Sequence, residues 1–377
     1  MAELGYSSRG QTGLPPACPL ANTTRIGAAH ALVSPTLSRS SRSGRSNFVA
    51  TVLCLILVAS VSTACQSLFG YYDSPIQNPL DRHAQMQEHA RYANATMAVR
   101  WWREDDWAVA REAGLRVIVN WPHEFWLAVD ENRPLILDAA MWCRMPAEDD
   151  PGWCNQTSAD WLNVILAHQD QIAAVSVVDE HDCGAPFPAG WTVTNCQAAA
   201  RKIEANIAAV RFYLPGIPTW VNYTSAFANW FQTSAPSRYG VSLASADWVG
   251  FDSYTPWEAC WGRVSCPTLI AGMERFMAAH QKIALIPRAF AGSYLNWNPP
   301  STTVASVARQ YLSYMQTHPR VVGMFPFIWW DLMGSGTGAE KVPVIRTAYE
   351  QIGMAITGRP GPPPPPAPTG LRILRES

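Results

Sequence analysis

Eight short apolar runs alternating with eight amphipathic stretches predict an α/β fold, a single-domain (β/α)8 TIM barrel spanning residues 66–358. Strict alternation implies parallel strands with right-handed crossovers, and eight units is the number that closes a barrel. The strand candidates are 67–72, 95–101, 115–121, 172–178, 217–223, 248–254, 283–287 and 321–330, apolar enough to be buried on both faces. The clearest helix runs from Cys196 to Leu214, with Ile203, Ile207, Val210 and Leu214 on one face before Pro215-Gly216 stops it. Another starts at Ser301, a good N-cap after Pro299-Pro300, and aligns Val307, Tyr311, Leu312 and Met315. A doubly wound open sheet is the alternative topology.

Composition suits one large core, with 48% hydrophobic and 15% charged residues. A net charge of -1 argues against nucleic acid or an acidic membrane surface as partner. The 17 Trp exceed what such a core requires, and exposed aromatic platforms are one explanation.

Residues 1–47 hold one acid, Glu3, against Arg9, Arg25, Arg39, Arg42 and Arg45, and form a basic, disordered leader. Residues 48–65 follow it, with a charge-free apolar run from Phe48 to Ala64 laid out like a secretory signal. Val61-Ser62-Thr63-Ala64-Cys65 resembles a bacterial lipoprotein cleavage site, which implies lipidation at Cys65, although Ser62 stands where Leu is usual. Export, or display as a cell-surface lipoprotein of a bacterium, is therefore expected, with membrane contact only through that signal or lipid. Removing Cys18, Cys54 and Cys65 leaves six of the nine cysteines, close in sequence as Cys143 with Cys154, Cys183 with Cys196, and Cys260 with Cys266. Local pairing is expected in an oxidising compartment. Residues 359–377 form a Pro-rich linker and tail, in which Ala367 to Leu374 resembles the opening strand of a fibronectin type III module.

Active sites of such barrels lie at the C-terminal strand ends. Those ends carry Tyr72; Arg100 and Trp101; Trp121, His123 and Glu124; Asp179 and Glu180; Asn222 and Tyr223; Asp252 and Tyr254; Arg288; and Trp329, Trp330 and Asp331. Aromatic faces stack on sugar rings, while carboxylates bind hydroxyls or act as acids and bases, so the rim suits a carbohydrate ligand. All three cysteine pairs fall in rim loops.

These strand ends resemble the (β/α)8 glycoside hydrolases of the large clan that includes cellulases and mannanases, over roughly residues 67–356. The resemblance implies that Arg100 matches an Arg ending strand two and Glu180 the acid/base ending strand four. It also implies that Tyr254 matches a Tyr contacting the nucleophile, and Trp329 or Trp330 a Trp under the sugar. Two departures stand out. No carboxylate ends strand seven, where the clan keeps its nucleophile, and Asp179 replaces the Asn before Glu180, which tends to raise that acid's pKa through like charge. Three mechanisms stay open. In one, Glu180 is the acid and Glu124, Asp252 or Asp331 activates water, an inverting arrangement with carboxyls about 6.5–9.5 Å apart. In another, Asp179-Glu180 resembles the pair of hexosaminidases that use the substrate's acetamido group. In the third, catalysis is lost and the barrel only binds glycan.

Plainer readings accompany these. Asp179 or Asp182 can cap the following helix, Asp252 can hold loop backbone, and about half of Trp101, Trp102, Trp329 and Trp330 belong to the core. Arg288 can neutralise Asp179 or Glu180. His123, Glu124, Asp179, His181 and Asp182 compose a candidate metal site and, with it, a metal-dependent hydrolase, but strand one lacks the His-x-His usual there. No phosphate loop, dinucleotide fingerprint or serine-nucleophile elbow occurs, and no cofactor is expected.

Overall fold

Strand order shows how the chain closes. In the computed structural model, which describes residues 67–72, 79–98, 102–121, 158–179, 192–230, 243, 245–294, 297–328 and 336–360, the strands are β1 (Leu68–Phe69), β2 (Ala95–Ala98), β3 (Arg116–Asn120), β4 (Ile172–Val178), β5 (Thr219–Thr224), β6 (Trp248–Ser253), β7 (Lys282–Pro287), β8 (Phe290–Gly292), β9 (Val321–Met324) and β10 (Gly336–Gly338). Eight of them form one sheet in the order β1-β9-β7-β6-β5-β4-β3-β2, every neighbouring pair parallel. The helices among the described residues are α1 (Pro79–His89), α2 (Glu104–Glu112), α3 (Ser158–Ala167), α4 (Val193–Tyr213), α5 (Ser225–Trp230), α6 (Cys266–Glu274), α7 (Ser301–Thr317) and α8 (Pro343–Thr357). This is a (β/α)8 barrel.

Among the described residues, Asn94 bridges the seam between β1 and β2 with both its backbone and its side chain. Asn94 donates its backbone N–H to Phe69 O at 3.0 Å, accepts the Phe69 N–H on Oδ1 at 2.8 Å and donates from Nδ2 to Ser67 O at 3.0 Å. Gly70 makes this approach possible, since a Cβ there would lie 2.3 Å from Ala95 O.

Alternation along the strands divides the apolar side chains into two layers. Val117, Val119, Val175, Val221, Val249, Phe251 and Leu285 face the helices, where the expected faces of α4 and α7 cover them. Ile203, Ile207, Val210 and Leu214 are all buried, as are Val307, Tyr311 and Met315. Ala95, Met97, Ile118, Ala174, Trp220, Trp248, Ala284 and Phe325 fill the barrel itself. There Trp220 packs on Phe325, with ring centroids 4.9 Å apart, and Ala95, Ala174 and Ala284 belong to the same cluster, so large and small side chains share the lumen.

Several expected boundaries move. β9 stops at Met324 rather than Trp330 because Pro326 lacks an N–H, although Phe325 N still donates to Leu285 O at 2.7 Å and Phe327 N to Pro287 O at 2.9 Å. β1 is likewise shorter than its apolar run. Pro300, not Ser301, holds the cap position of α7, its carbonyl accepting Thr303 N at 2.9 Å. The antiparallel pair β8–β10 was not foreseen. Trp102, Trp107, Trp121, Trp161, Trp220, Trp248 and Trp257 are buried, so most Trp side chains that the structure describes are core material rather than exposed platforms. Among the described residues no helix is long and apolar enough to cross a membrane. The leader, the signal-like run with Cys65, and the tail from residue 361 lie outside the described residues.

Candidate functional site at the barrel mouth

Inward-facing positions of β5 and β6 deliver the first site residues. On β5, Trp220 and Asn222 point into the barrel while Val221 and Tyr223 point at the helices; on β6, Trp248 and Asp252 point in and Val249 and Phe251 out. Asn222 therefore lies one layer above Trp220, near the C-terminal end of the sheet. Its Cα pairs with Gly250 across the ladder.

Asn222 links two carboxylates. Its Nδ2 donates to Asp179 Oδ1 at 3.1 Å and to Asp252 Oδ2 at 3.2 Å. Those same oxygens each accept a tyrosine hydroxyl: Tyr72 Oη donates to Asp179 Oδ1 at 2.6 Å, and Tyr254 Oη to Asp252 Oδ2 at 2.7 Å. The chain Tyr72–Asp179–Asn222–Asp252–Tyr254 thus crosses the mouth from the end of β1 through β4 and β5 to β6. Asn222 and Asp252 are buried, whereas Asp179 is exposed. Burial, and next the Asp179 carboxylate, push the Tyr72 hydroxyl well above its usual pKa, which keeps it a donor. Among the described residues Asp179 Oδ2 accepts no hydrogen bond and Asp179 forms no ion pair.

An aromatic wall stands beside this chain. Phe327 stacks on Tyr254 with centroids 5.2 Å apart and lies 6.4 Å from Tyr72, while Tyr294 meets Tyr254 edge-on at 5.1 Å. Phe327 and Tyr294 are only partly buried. Neither was foreseen at the rim; Phe327 sits two residues past an inward Phe325, a spacing of two that points it the same way.

The structure places three expected rim residues elsewhere. Tyr223 is fully buried in the sheet–helix layer, stacked on Phe227 at 4.9 Å. Trp121 belongs to the same layer, donating from Nε1 to Asn206 Oδ1 at 2.9 Å and meeting Trp161 edge-on at 6.0 Å. Both follow an inward neighbour, Asn222 or Asn120, so the pleat turns them out. Arg288 is buried and spends its guanidinium on loop carbonyls: Phe290 O at 2.9 Å, Tyr254 O and Trp297 O at 3.4 Å each, and Gly292 O. It rests 4.2 Å from the Phe290 ring centroid, and burial lowers its pKa to about 10. Arg288 therefore braces the 290–297 segment instead of neutralising Asp179. Arg100, Trp101, His123, Glu124, Glu180, Trp329, Trp330 and Asp331 lie outside the described residues. So do His181 and Asp182 of the candidate metal set, and Cys143, Cys154 and Cys183.

Behind Asp252 the chain is tied down. Cys260 and Cys266 come to bonding distance with Cα atoms 4.9 Å apart, Cys260 Sγ lies 2.9 Å from Ser253 Oγ, and Thr255 Oγ1 donates to Cys260 O at 2.7 Å. A separate cluster, His83 with Asp105 and Asp106, has metal-ligand character. Arg82 already engages both Asp106 oxygens, at 2.7 and 2.6 Å, and Asp106 Oδ2 also accepts Arg103 N at 2.7 Å. That carboxylate joins α1 to the start of α2 and is occupied by structural partners.

No protein-family model and no curated protein sequence matches the chain. Among solved structures it is similar to a β-D-glucuronidase of Dictyoglomus thermophilum, at 15% identity and TM-score 0.44 over 76% of this chain and 50% of that one. A Bifidobacterium dentium β-glucuronidase complexed with coumarin-3-O-glucuronide is similar at 11% identity and TM-score 0.48, over 76% of this chain and 46% of that one. The GH53 catalytic domain of Ignisphaera aggregans is similar at 13% identity and TM-score 0.40, over 78% of this chain and 93% of that one. The chain spans about half the length of the two glucuronidases. By strand order and register the fold is a (β/α)8 barrel.

Proposed function

We propose that the chain is an exported glycoside hydrolase-like protein acting on a polysaccharide or glycoconjugate. The observation that carries this reading is the Tyr72–Asp179–Asn222–Asp252–Tyr254 chain at the barrel mouth, with an exposed carboxylate oxygen on Asp179 and partly buried Phe327 and Tyr294 rings beside it. Acceptors for hydroxyls next to apolar ring faces suit a sugar. In this reading Glu180 is the general acid. Asp252, buried and held by Tyr254 and Asn222, takes a proton from water as the water oxygen bonds to the anomeric carbon, the glycosidic C–O bond breaks and Glu180 protonates the leaving oxygen. The scheme needs no carboxylate on β7, whose end runs Ile286-Pro287-Arg288-Ala289. Export is supported by the leader's layout and by the even set of cysteines that follows it.

The carboxylate missing from β7 also favours a second reading, a barrel that binds glycan without cleaving it. Reducing-sugar release from a panel of polysaccharides separates the two. Wild-type turnover that falls about a hundredfold or more in Glu180→Gln supports hydrolysis. Binding without release favours the second reading, and unchanged turnover in Glu180→Gln refutes the assignment of the acid.

A further inference from the structure

We propose that the face of the barrel opposite the mouth docks on an anionic bilayer surface, through Phe212 and Phe276 with Arg211, Arg275 and Lys282 beside them. Because the eight strands of the barrel run parallel, the helices all return the chain to that face, where their C-terminal ends and the turns into the next strands gather. Arg211-Phe212 lies in the last turn of α4, Arg275-Phe276 directly follows α6, and Lys282 starts β7. These are near neighbours, since α4 leads into β5, α6 leads into β7, and β5, β6 and β7 are adjacent in the sheet. Four large apolar side chains are exposed among the described residues, and the two aromatic ones, Phe212 at 77% and Phe276 at 48%, both stand here. Each follows an exposed arginine in sequence. A single exposed Phe is ordinary, but two with the same cationic neighbour on one face make a surface. Such rings enter the boundary between headgroups and acyl chains, while the cations stay with the phosphates.

A net charge of -1, spread evenly, would disfavour an acidic bilayer, but the charges are not spread evenly. Among the described residues of the turns into β5, β6 and β7, the exposed Arg, Lys, Asp and Glu are all basic: Arg211, Arg275 and Lys282. The acids near them are withdrawn. Asp247 is buried and accepts Thr219 N and Oγ1 at 2.9 Å each, Glu204 accepts Ser245 N at 3.0 Å and Ser245 Oγ at 2.7 Å, and Glu274 is partly buried. The course of the chain favours a bilayer over a second copy as the occupant. β1 begins at Leu68 on this face, three residues after Cys65 and four after the charge-free run 48–64. An anchor on that preceding chain would tether the barrel by this face and leave the mouth pointing away from the bilayer, toward a polymeric substrate.

The inference rests on the export reading proposed above, and its test needs no turnover. The full chain is sedimented with vesicles of phosphatidylcholine alone, and with vesicles of phosphatidylcholine and phosphatidylglycerol in equal parts. Binding to the neutral vesicles reports on the leader, and the added binding to the anionic ones reports on the face, so either can fail by itself. The wild type should bind the anionic vesicles about tenfold more tightly or better at low salt, with the preference falling as salt rises. Arg211→Gln, Arg275→Gln and Lys282→Gln together should remove that preference, and Phe212→Ser with Phe276→Ser should weaken anionic binding about tenfold. A phenyl ring makes no conventional hydrogen bond, so the Phe variant decides should the basic one fail to fold. Arg201→Gln with Arg309→Gln, exposed on α4 and α7 away from their ends, should bind like the wild type. No anionic preference in the wild type, a preference kept by the face variants, or an equal loss in the Arg201 and Arg309 variant overturns the proposal. So does a dimer in solution that Phe212→Ser with Phe276→Ser breaks, found without any preference between the vesicles.

Discussion

Gly250 sets how near the Asn222 amide comes to the two carboxylates, so its smallest replacement is informative. Gly→Ala in a strand ordinarily gains stability by restricting the unfolded chain. Here the added methyl meets Asn222 Oδ1 and Trp220 Nε1 at 2.5 Å and the Asn222 Cα at 3.0 Å. Gly250→Ala should therefore lower unfolding free energy by about 1–3 kcal/mol, as overpacking does. Urea denaturation measures it, and a neutral or stabilised variant would show that the lumen has slack. At this scale the strand-end reading singled out Tyr72, Asp179, Asn222, Asp252 and Tyr254, which the structure joins in one hydrogen-bonded chain. It failed at Trp121 and Tyr223, because residue type does not say on which side of the pleat a side chain falls. Arg288 was misread for another reason: a guanidinium satisfied by carbonyls of its own loop has no signature in the sequence.

Between β6 and α6 the chain turns where the sulfurs of Cys260 and Cys266 come to bonding distance, behind Asp252 and Tyr254. Both sulfurs are buried, Ser265 caps α6 by accepting Thr268 N, and Trp257 packs edge-on to Tyr311 at 4.5 Å. Replacing Cys260 and Cys266 together by Ala should lower stability by about 2 kcal/mol, given the short loop enclosed. Equilibrium unfolding of the double variant checks this, and unchanged stability would mean that packing alone holds the segment. The nearness of this pair was legible from the spacing of its cysteines. Helix faces were legible as well, because a period near 3.6 is carried by many residues at once. Strand ends were not. Apolar residues continue past Met324 while Pro326 interrupts the regular ladder, and the short β8–β10 pair has no alternating pattern to announce it.

From Ser67 onward the described chain is a barrel whose sheet order could be anticipated from the count of alternating runs, since parallel strands with helical crossovers have few ways to close. What could not be anticipated is how its parts are filled. The Trp-rich composition suggested exposed platforms, yet most Trp that the structure describes support the lumen or the helix layer, while Phe327 and Tyr294 at the mouth are partly exposed. The seam at Asn94 was equally hidden, because one residue bridges it with both its backbone and its side chain. Among the described residues, Asp179 and Asp252 bring two acids together at the C-terminal end of the barrel. The most direct measurement is a crystal structure of the Glu180→Gln protein soaked with an oligosaccharide from the panel. The account predicts a sugar ring against Phe327 or Tyr294, with a hydroxyl within hydrogen-bond reach of Asp179 Oδ2. A sugar bound only away from the mouth, or a mouth that stays free of sugar at saturating concentration, would contradict it.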